Sequence, residues 1–418
     1  MLANKILLAV KSKAIEQLGV MYLSAIIKER GWDCRICTFA DLANWDYVEA
    51  YSPAVIGYSC MTGDQHIVQA INHELIRCFH HISIVGGPHP TFYSRDFSSA
   101  EFDFVVQGEA EQWMADFLSH GDGINYANIN SIPWPDRTDF PDMQIRDFIA
   151  SRGCPWSHCK YCYNDKFNKM FPELAKARTR SVQDVVAEVK HVAPKFAYFQ
   201  DSCFGTSIKW LREFSVQFSK LNIPFHAHFR PQQITEERVQ LLKNANCASL
   251  RMAIESASPW LRELIGRQEM DNSELVQAAK LLKKYSIPFM LQNILGLPTA
   301  TIEDDLTTLE LNIECGADYA WSSIFSPFPG TELGDLCKEE GWYTGDYSDI
   351  TDCFFDKSVL NFDEEYKERV YYLQKVFALC VEAREMPKIE ELNALEFPKL
   401  IHRLMRKIGD KRLYKGVL

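Results

Sequence analysis

The chain has 418 residues, and 45 lysine and arginine residues against 56 aspartate and glutamate residues give a formal net charge of −11. This acidic balance argues against a protein that coats nucleic acid or binds a membrane surface. Hydrophobic residues make up 47% and charged residues 24% of the sequence, which is typical of soluble globular proteins. A chain of this length is expected to form two or three domains.

The amino terminus, MLANKILLAV, has one basic residue before a short apolar run. It lacks the long apolar segment and the small-residue cleavage site of a signal peptide. No apolar stretch reaches the ~18–20 residues that span a bilayer. We therefore expect a cytoplasmic protein, whose 13 cysteines are core thiols or metal ligands rather than a disulfide framework.

Short apolar runs alternate with helical patterns from residue 1 to about residue 110, beginning with KILLAV and LGVMYLSAIIKERG. This alternation predicts an α/β domain with a Rossmann-like, doubly wound parallel sheet. Ligands bind such sheets at the carboxyl ends of the strands. The two adjacent glycines at one strand end either form only a tight turn or let a bulky ligand approach the backbone. The small or polar residues expected at these ends are Ser59, Met61, Thr62, Gly63, Gly86, Gly87, Gly108 and Glu109.

Residues 120–146 are rich in Gly, Pro, Asn and Asp, which predicts a connection between domains. Six strand candidates separated by helical segments follow, and they predict a partial (β/α)6 barrel similar to a TIM barrel. One long helical pattern and a basic end then predict a helical region. The expected domains are residues 1–140, 141–340 and 341–418. The six strand candidates are DFIASRG, KFAYFQD, FHAHFR, CASLRMAIES, PFMLQNILG and YAWSSIFSPF.

Three cysteines, Cys154, Cys159 and Cys162, lie within nine positions directly after the first predicted barrel strand. Three soft ligands in one loop favour a thiophilic metal. Structural zinc sites and the usual iron–sulfur clusters have four protein ligands, so three cysteines would leave one metal position open to a substrate or cofactor. Two alternatives stay open: His158 completes a zinc site, although its position next to Cys159 makes joint ligation awkward, or the three thiols are unrelated.

The cysteine-rich segment SRGCPWSHCKYCYND, with Tyr161 before its last cysteine, resembles the signature of the radical S-adenosylmethionine (SAM) enzymes. The segments ARTRSVQDVVAEV, SLRMAIESAS, ILGLPTATIEDD and FSPFPGTEL resemble the subgroup that carries an N-terminal cobalamin-binding domain. So do LGVMYLSAIIKERG, VGGPHPTF and FDFVVQGEAE, and the resemblance extends from about residue 5 to about residue 340.

The chain departs from the family pattern in two places. Its cysteine spacing is C-x4-C-x2-C where the family usually has C-x3-C-x2-C, but a loop absorbs one extra residue easily. The amino-terminal segment lacks the D-x-H-x-x-G motif that supplies a histidine ligand to cobalt in classical cobalamin mutases. Members of the subgroup commonly lack this motif, so the resemblance still implies cobalamin but names no cobalt-ligating side chain.

The resemblance implies that Cys154, Cys159 and Cys162 hold a 4Fe-4S cluster that binds SAM and cleaves it reductively. It also implies that the amino-terminal domain binds cobalamin through the strand-end residues named above. Contacts with SAM are implied at strand ends and in the cysteine loop, with Gln200 and Asp201 near the methionine amino group and Gly296-Leu297-Pro298 near the adenine. The predicted SAM contacts are Tyr161, Gln200, Asp201, Arg230, Arg251, Glu255, Gly296 and Pro298.

Alternation along a barrel strand separates residues that pack outward from residues that line the site. In SLRMAIES the predicted inner face holds Arg251 and Glu255, and in FHAHFR it holds His226, His228 and Arg230. Buried polar groups need partners or a ligand. His226 and His228 are therefore candidate catalytic residues. The favoured alternative is that they contact the substrate or line its pocket, and the other is that they bind iron or zinc.

Two predicted contacts with SAM have structural alternatives. Asp201 precedes a possible helix start and would then be its N-cap. Arg251 and Glu255 would form an internal ion pair that serves only the barrel. These alternatives predict different partners for the three side chains.

The favoured function is C-methylation of an unactivated carbon in a small metabolite or natural-product intermediate by a cobalamin-dependent radical SAM enzyme. An alternative keeps the radical chemistry without methyl transfer, as in an oxidative cyclase, dehydratase or rearrangement enzyme. A third alternative is a non-catalytic cobalamin or cluster sensor. The expected partners are a small-molecule substrate and an electron donor such as flavodoxin or ferredoxin, without nucleic acid or membrane.

Overall fold

The computed structural model describes residues 4–119, 125–175, 177–346, 349–350 and 353–414. Part of the predicted interdomain connection, residues 120–124, and the end of the predicted basic segment lie outside the described residues. The chain divides into two compact units. The first contains residues 1–153 and 166–195, and the second contains residues 154–165 and 196–418.

The first unit contains a five-stranded sheet in which every pair of neighbouring strands is parallel. The strand order is β2-β1-β3-β4-β5, so the predicted doubly wound sheet is confirmed. In sheets with this order a ligand binds where the order reverses, beside the ends of the first and third strands. The strands are β1 (Lys5–Val10), β2 (Asp33–Thr38), β3 (Val55–Ser59), β4 (Ile82–Gly86) and β5 (Phe104–Val105).

Both faces of this sheet are covered by apolar cores, as the period of two along β1 requires. Ile6, Leu8 and Val10 belong to one buried cluster, whereas Leu7 and Ala9 belong to another. Helices up to residue 119 alternate with the strands of this sheet, and two more follow up to residue 192, the first of which begins in the second unit. They are α1 (Leu18–Glu29), α2 (Phe39–Leu42), α3 (Trp45–Tyr51), α4 (Gln65–Cys78), α5 (Pro88–Phe92), α6 (Glu111–Ser119), α7 (Tyr163–Met170) and α8 (Val182–Val192).

The first predicted barrel strand, DFIASRG, is not one continuous strand. It is divided between β6 (Ile145–Phe148) and β7 (Ser151–Arg152). The second piece forms a short antiparallel pair with β8 (Arg178–Thr179). The other five strand candidates are all strands in the second unit.

The second unit contains parallel strands that alternate with helices, in the order β13-β12-β11-β10-β9. This arrangement, followed by helices to residue 414, confirms the predicted partial barrel and carboxyl-terminal helical region. The long carboxyl-terminal helix α15 packs against β13 and α16. The strands are β9 (Phe196–Phe199), β10 (Phe225–Phe229), β11 (Cys247–Glu255), β12 (Phe289–Leu295) and β13 (Tyr319–Ile324). The helices are α9 (Ile208–Phe218), α10 (Glu236–Asn244), α11 (Pro259–Leu264), α12 (Asn272–Lys284), α13 (Ile302–Cys315), α14 (Glu332–Glu339), α15 (Glu364–Ala383) and α16 (Phe397–Tyr414).

Most of these helices begin where the sequence supplies a cap. Thr301 caps α13 through a reciprocal pair of hydrogen bonds with Asp304, and Asp271 caps α12 in the same way with Glu274. Gly316 ends α13 in the left-handed conformation. In the part of the chain that the structure describes, no helix is both long enough and apolar enough to cross a membrane.

Candidate active site

The cysteine loop, residues 154–162, is held by backbone hydrogen bonds at two places in the second unit. The Lys160 N–H donates to the Ile265 carbonyl oxygen at 3.0 Å, and the Leu333 N–H donates to the Lys160 carbonyl oxygen at 2.9 Å. The loop is therefore attached both to the turn after α11 and to the first residues of α14. Such attachment fixes the position of a segment that has no regular secondary structure of its own.

Gly266, in the turn after α11, allows the cysteine loop to come this close. Its φ is +74°, and a Cβ atom there would lie 2.3 Å from the carbonyl oxygen of His158. Any other residue would have to push the loop away, because a backbone oxygen cannot yield as a flexible side chain can. Glycine is required here both by conformation and by space.

The three thiols of the loop are partly exposed, in contrast to most other cysteines, which are buried. Cys159 interacts electrostatically with Cys162, and Cys162 with Cys154, so the thiols are neighbours. Burial raises the pKa of the Cys159 thiol to about 11 and also raises the pKa of Cys162. These two thiols are therefore protonated at neutral pH, and metal binding would displace their protons.

Three neighbouring thiols fit a 4Fe-4S cluster that keeps one iron for a further ligand. A fourth thiol, Cys203, also interacts electrostatically with Cys154, but it is buried and donates a hydrogen bond to Gln233 Oε1 at 2.7 Å. Among the described residues, no three His, Cys, Asp or Glu side chains already surround a single metal position. The ring of His158 lies edge-on to Trp156, with 5.9 Å between centroids.

A cluster of three side chains, in which Glu255 and Arg267 are buried and Tyr161 is partly buried, joins the cysteine loop to the end of β11. The Tyr161 hydroxyl donates to Glu255 Oε1 at 2.6 Å. The guanidinium of Arg267 lies 3.3 Å from the same carboxylate oxygen and donates to the Ala253 carbonyl oxygen at 2.8 Å. Burial raises the pKa of Glu255, and it raises the pKa of Tyr161 well above its ordinary value. The phenol is therefore a hydrogen-bond donor that stays protonated.

This cluster corrects one sequence-based alternative, because Glu255 pairs with Arg267 and not with Arg251. Arg267 was not singled out from the sequence, since it lies in a turn outside any periodic pattern. The backbone of Glu255 has φ +63°, a left-handed conformation that is strained for a residue with a side chain. Such strain is found preferentially at functional sites.

The other predicted SAM contacts lie at the ends of neighbouring strands. Arg230, after β10, lies over the Trp156 ring with its guanidinium carbon 3.8 Å from the centroid, and it forms an ion pair with Glu269. Gln200 and Asp201 directly follow β9, and Asp201 is buried.

The alternative reading of Asp201 as a helix N-cap is wrong. The helix that follows β9 is α9, and its N-cap is Ser207, whose hydroxyl accepts a hydrogen bond from the Trp210 N–H at 3.3 Å.

The glycine turn after β12 is tied to a buried carboxyl group. The Gly296 N–H donates to Asp305 Oδ1 at 3.2 Å, and the Tyr366 hydroxyl donates to Asp305 Oδ2 at 2.8 Å. Burial raises the pKa of Asp305 to about 7. Gly296 has φ +66°, and Pro298 lies two residues further on in the same turn.

A second polar cluster lies on the inner face of β9, β10 and β11. The ring of Tyr198 stacks on the ring of His226 at 4.7 Å, and its hydroxyl lies 3.3 Å from Nε2 of His228. Arg251 donates to the Tyr198 hydroxyl at 2.5 Å. His226 Nδ1 lies 2.7 Å from the hydroxyl of Ser249. The structure thus brings both candidate catalytic histidines together with Arg251.

In the first unit, the predicted ligand-binding glycines have structural contacts. A Cβ atom on Gly87, whose φ is +104°, would lie 2.9 Å from the backbone nitrogen and oxygen of Cys60. The Cys60 N–H donates to the Gly86 carbonyl oxygen at 2.8 Å. A Cβ atom on Gly108 would lie 2.9 Å from the ring of Phe171. These contacts support the tight-turn explanation for Gly87.

The remaining strand-end residues of the first unit differ in their surroundings. The side chain of Thr62 bonds to Nδ1 of buried His89 at 3.1 Å, and Nε2 of His89 bonds to Asp96 at 2.9 Å. Both ring nitrogens of His89 are therefore occupied. Met61 is 51% exposed. Ser59 and Gly63 flank the same turn after β3.

Glu109, predicted as a cobalamin contact, takes part in an ion-pair network. It pairs with Arg152 at 3.1 Å and with Arg178, and Arg152 also pairs with Glu111 at 2.6 Å. Both arginines lie on the short pair β7 and β8. The network lowers the pKa of Glu109 against the opposing effect of its burial.

Comparison with known proteins identifies the two parts of the chain. Residues 4–118 match the B12 binding domain family and residues 148–311 match the Radical SAM superfamily. The chain is 26% identical over 371 residues to an uncharacterized methyltransferase of Pyrococcus horikoshii, covering 76% of this chain and 77% of the relative.

Two solved structures share the fold. The radical SAM methyltransferase TsrM from Kitasatospora setae, with a tryptophan substrate and a SAM analogue bound, has a TM-score of 0.66 at 15% identity, over 81% of this chain and 76% of that one. The cobalamin-dependent SAM radical enzyme OxsB, with aqua-cobalamin and SAM bound, has a TM-score of 0.56 at 16% identity, over 80% and 55%. The chain therefore belongs to the radical SAM superfamily and, with its B12-binding domain, is a cobalamin-dependent radical SAM enzyme.

Proposed function

We propose that the protein methylates an unactivated carbon of a small metabolite or natural-product intermediate. The observation that carries this proposal is the presence in one chain of a B12-binding domain and a radical SAM domain. The similar protein of Pyrococcus horikoshii and TsrM are both named methyltransferases. When bound, the 4Fe-4S cluster and SAM supply hydrogen abstraction, and cobalamin supplies the methyl group.

The chain contributes position and electrostatics. Cys154, Cys159 and Cys162 would hold the cluster. The loop is supported by its backbone bonds to Ile265 and Leu333, so the thiols start from a restrained geometry. A restrained geometry lowers the entropy lost when ligands converge on a metal.

SAM would lie over the strand ends next to the cysteine loop. We assign Glu255 to the ribose or amino group, with Tyr161 and Arg267 holding its carboxylate in place. The other proposed contacts surround the same strand ends. One predicted contact, Arg251, lies four residues before Glu255 on β11 and is not among the contacts proposed here. The proposed SAM contacts at or beside the strand ends are Tyr161, Gln200, Asp201, Arg230, Glu255, Gly296 and Pro298.

In the first unit, cobalamin would lie at the strand ends. There we propose contacts from Met61, which is exposed, and from its neighbours in the same turn. Gly87, Gly108 and Glu109 would act by shaping the turns, because each already has a close structural contact. The proposed contacts and their supports are Ser59, Met61, Thr62, Gly63, Gly86, Gly87, Gly108 and Glu109.

We also propose domain limits of 1–140, 141–340 and 341–418, a cytoplasmic location and an electron donor of the flavodoxin or ferredoxin type. A small-molecule substrate is favoured over nucleic acid because the net charge of −11 repels a polyanion. Reductive cleavage of SAM requires an external electron, which explains the need for such a donor.

The test uses the protein reconstituted without oxygen and supplied with hydroxocobalamin. We expect about four iron atoms and about one cobalt atom per chain, 5′-deoxyadenosine production, and transfer of an isotopically labelled methyl group from SAM to bound cobalamin. Cys159→Ala should lose iron and SAM cleavage. Cys78→Ala, which changes an exposed cysteine far from the loop in sequence, is the matched control.

Three results would contradict the proposal. Iron and SAM cleavage without cobalt or labelled cobalamin would favour a radical reaction that transfers no methyl group. Cobalt or cluster binding without any SAM cleavage would favour a sensor. Zinc in place of iron would exclude all radical SAM chemistry.

A further inference from the structure

The inner face of the second unit carries a polar cluster that the proposed cofactor contacts do not use. The register places Tyr198 of β9 beside His226 of β10, and His228 of β10 beside Arg251 of β11. Along β11 the outward residues are fully buried, whereas Arg251 keeps partial exposure. On this inner face Arg251 and His228 are therefore partly exposed, whereas His226 is buried.

Arg251 has no carboxylate partner among the residues that the structure describes. Its one hydrogen bond there runs to the Tyr198 hydroxyl, and its Nε has no hydrogen-bond partner. By register its inner-face neighbours are His228 and Met290. Burial lowers the pKa of Arg251. A partly buried guanidinium without an anion has a desolvation cost, and an anionic ligand would offset that cost by completing an ion pair.

The two histidines provide neutral hydrogen-bonding groups around this cation. Burial and the charge of Arg251 lower the pKa of His226 to about 4 and that of His228 to about 3. His226 is only 7% exposed, and its Nε2 is buried without a hydrogen-bond partner. Its Nδ1 is already bonded to Ser249. The free Nε2 and the free Nε of Arg251 are thus two unsatisfied polar atoms on one face.

We propose that Tyr198, His226, His228 and Arg251 form a subsite for an anionic group of the substrate, a carboxylate or a phosphate. The subsite rests on the proposed function, since it assigns the substrate of that same enzyme. Arg251 lies four residues before Glu255, about 13 Å along the strand, which is deeper than the strand ends proposed for SAM. A planar guanidinium binds either anion through paired hydrogen bonds. The reacting carbon would then lie between this subsite and the strand ends.

The test titrates acetate and, separately, inorganic phosphate into the reconstituted protein with SAM bound. The ring signals of His226 and His228 are followed by NMR in protein labelled at histidine. We expect saturable shifts of these two signals, and the tighter of the two anions identifies the group that the substrate carries. Arg251→Gln should weaken that affinity at least tenfold. Arg251→Lys should weaken it less, because lysine keeps the positive charge. Arg212→Gln, at an exposed arginine paired with Glu237, should leave the affinity unchanged.

Two results would overturn the subsite. The first is the absence of saturable shifts with either anion, or equal anion affinity in Arg251→Gln. The second is a tenfold loss of SAM affinity in Arg251→Gln, which would assign Arg251 to the SAM carboxylate. Neither result touches the proposed function, which instead fails if the wild-type protein does not cleave SAM or load a methyl group on cobalamin.

Discussion

The hydroxyl of Tyr161 donates a 2.6 Å hydrogen bond to the carboxylate of Glu255, and so links the loop that carries the three cysteines to the end of β11. Glu255 is buried and Tyr161 is partly buried, and Glu255 adopts a left-handed backbone conformation there. The contact sets the separation between the proposed cluster and one wall of the proposed SAM site. A small error in that separation would misplace SAM relative to the open iron.

Replacing Tyr161 by phenylalanine should destabilise the protein by about 1–3 kcal/mol, because it leaves a buried carboxylate with one partner fewer. Urea unfolding of the unloaded protein measures this change. Tyr285→Phe is the matched control, since Tyr285 donates a similar 2.7 Å hydrogen bond to Glu236 on the protein surface. Equal unfolding free energies for the two variants would show that the buried contact is not stabilising.

Gly266→Ala should impair cluster assembly. The new Cβ would lie 2.3 Å from the His158 carbonyl oxygen, so the cysteine loop must shift. We expect iron per chain after reconstitution to fall at least twofold. Gly341→Ala introduces the same strain at φ +70°, with nothing within 4 Å of its Cβ, and should cost only about 1 kcal/mol. Full iron content in Gly266→Ala would mean that the close approach is not needed.

Much of the fold could be predicted from the sequence, because the spacing of apolar residues along a strand or helix indicates which side chains are buried. The alternation in SLRMAIES placed Arg251 and Glu255 on one face. In the structure Arg251 is partly exposed between the buried residues Leu250 and Met252, whereas Glu255 is buried. The strand DFIASRG was less tractable. Its apolar residues are too few to show a period, and a break after Phe148 separates two short strands.

The partners of charged residues could not be read from the sequence. Glu255 pairs with Arg267 across a turn, and Glu109 pairs with Arg152 and Arg178, which are far away along the chain. Such pairs depend on tertiary folding and leave no periodic trace. The strand-end positions themselves were predictable, because they follow from where each apolar run stops.

His226 should give the protein a pH-dependent stability. Its pKa is lowered from 6.5 to about 4 on folding, mainly by burial. As the pH falls below 6.5, His226 is protonated in the unfolded chain before it is protonated in the folded protein. The stability that neutral His226 provides above pH 6.5 is therefore lost as the pH falls toward 4. Lowering the pH from 7 to 5 should therefore reduce the free energy of unfolding by about 2 kcal/mol.

Urea unfolding of wild type and His226→Gln at both pH values measures this contribution together with the smaller effect that His226 has on the pKa of His228. From pH 7 to pH 5, the free energy of unfolding should fall by about 2 kcal/mol more in the wild type than in the variant. Parallel pH profiles would show that His226 is not buried as a neutral ring, and would remove one support of the proposed anion subsite.

Ser157, one of four residues between Cys154 and Cys159, has φ +31°. The family's usual spacing has three residues between these cysteines. A residue in the left-handed conformation reverses the chain locally, which lets the loop accommodate the additional residue. Glycine adopts this conformation without strain, and Ser157→Gly should therefore stabilise the protein by about 1 kcal/mol without changing iron content. Ser286→Gly, at φ 51° after α12, should give a similar gain away from the cysteines. A gain at Ser286 with a loss of iron at Ser157 would instead assign the serine side chain a part in holding the cluster loop.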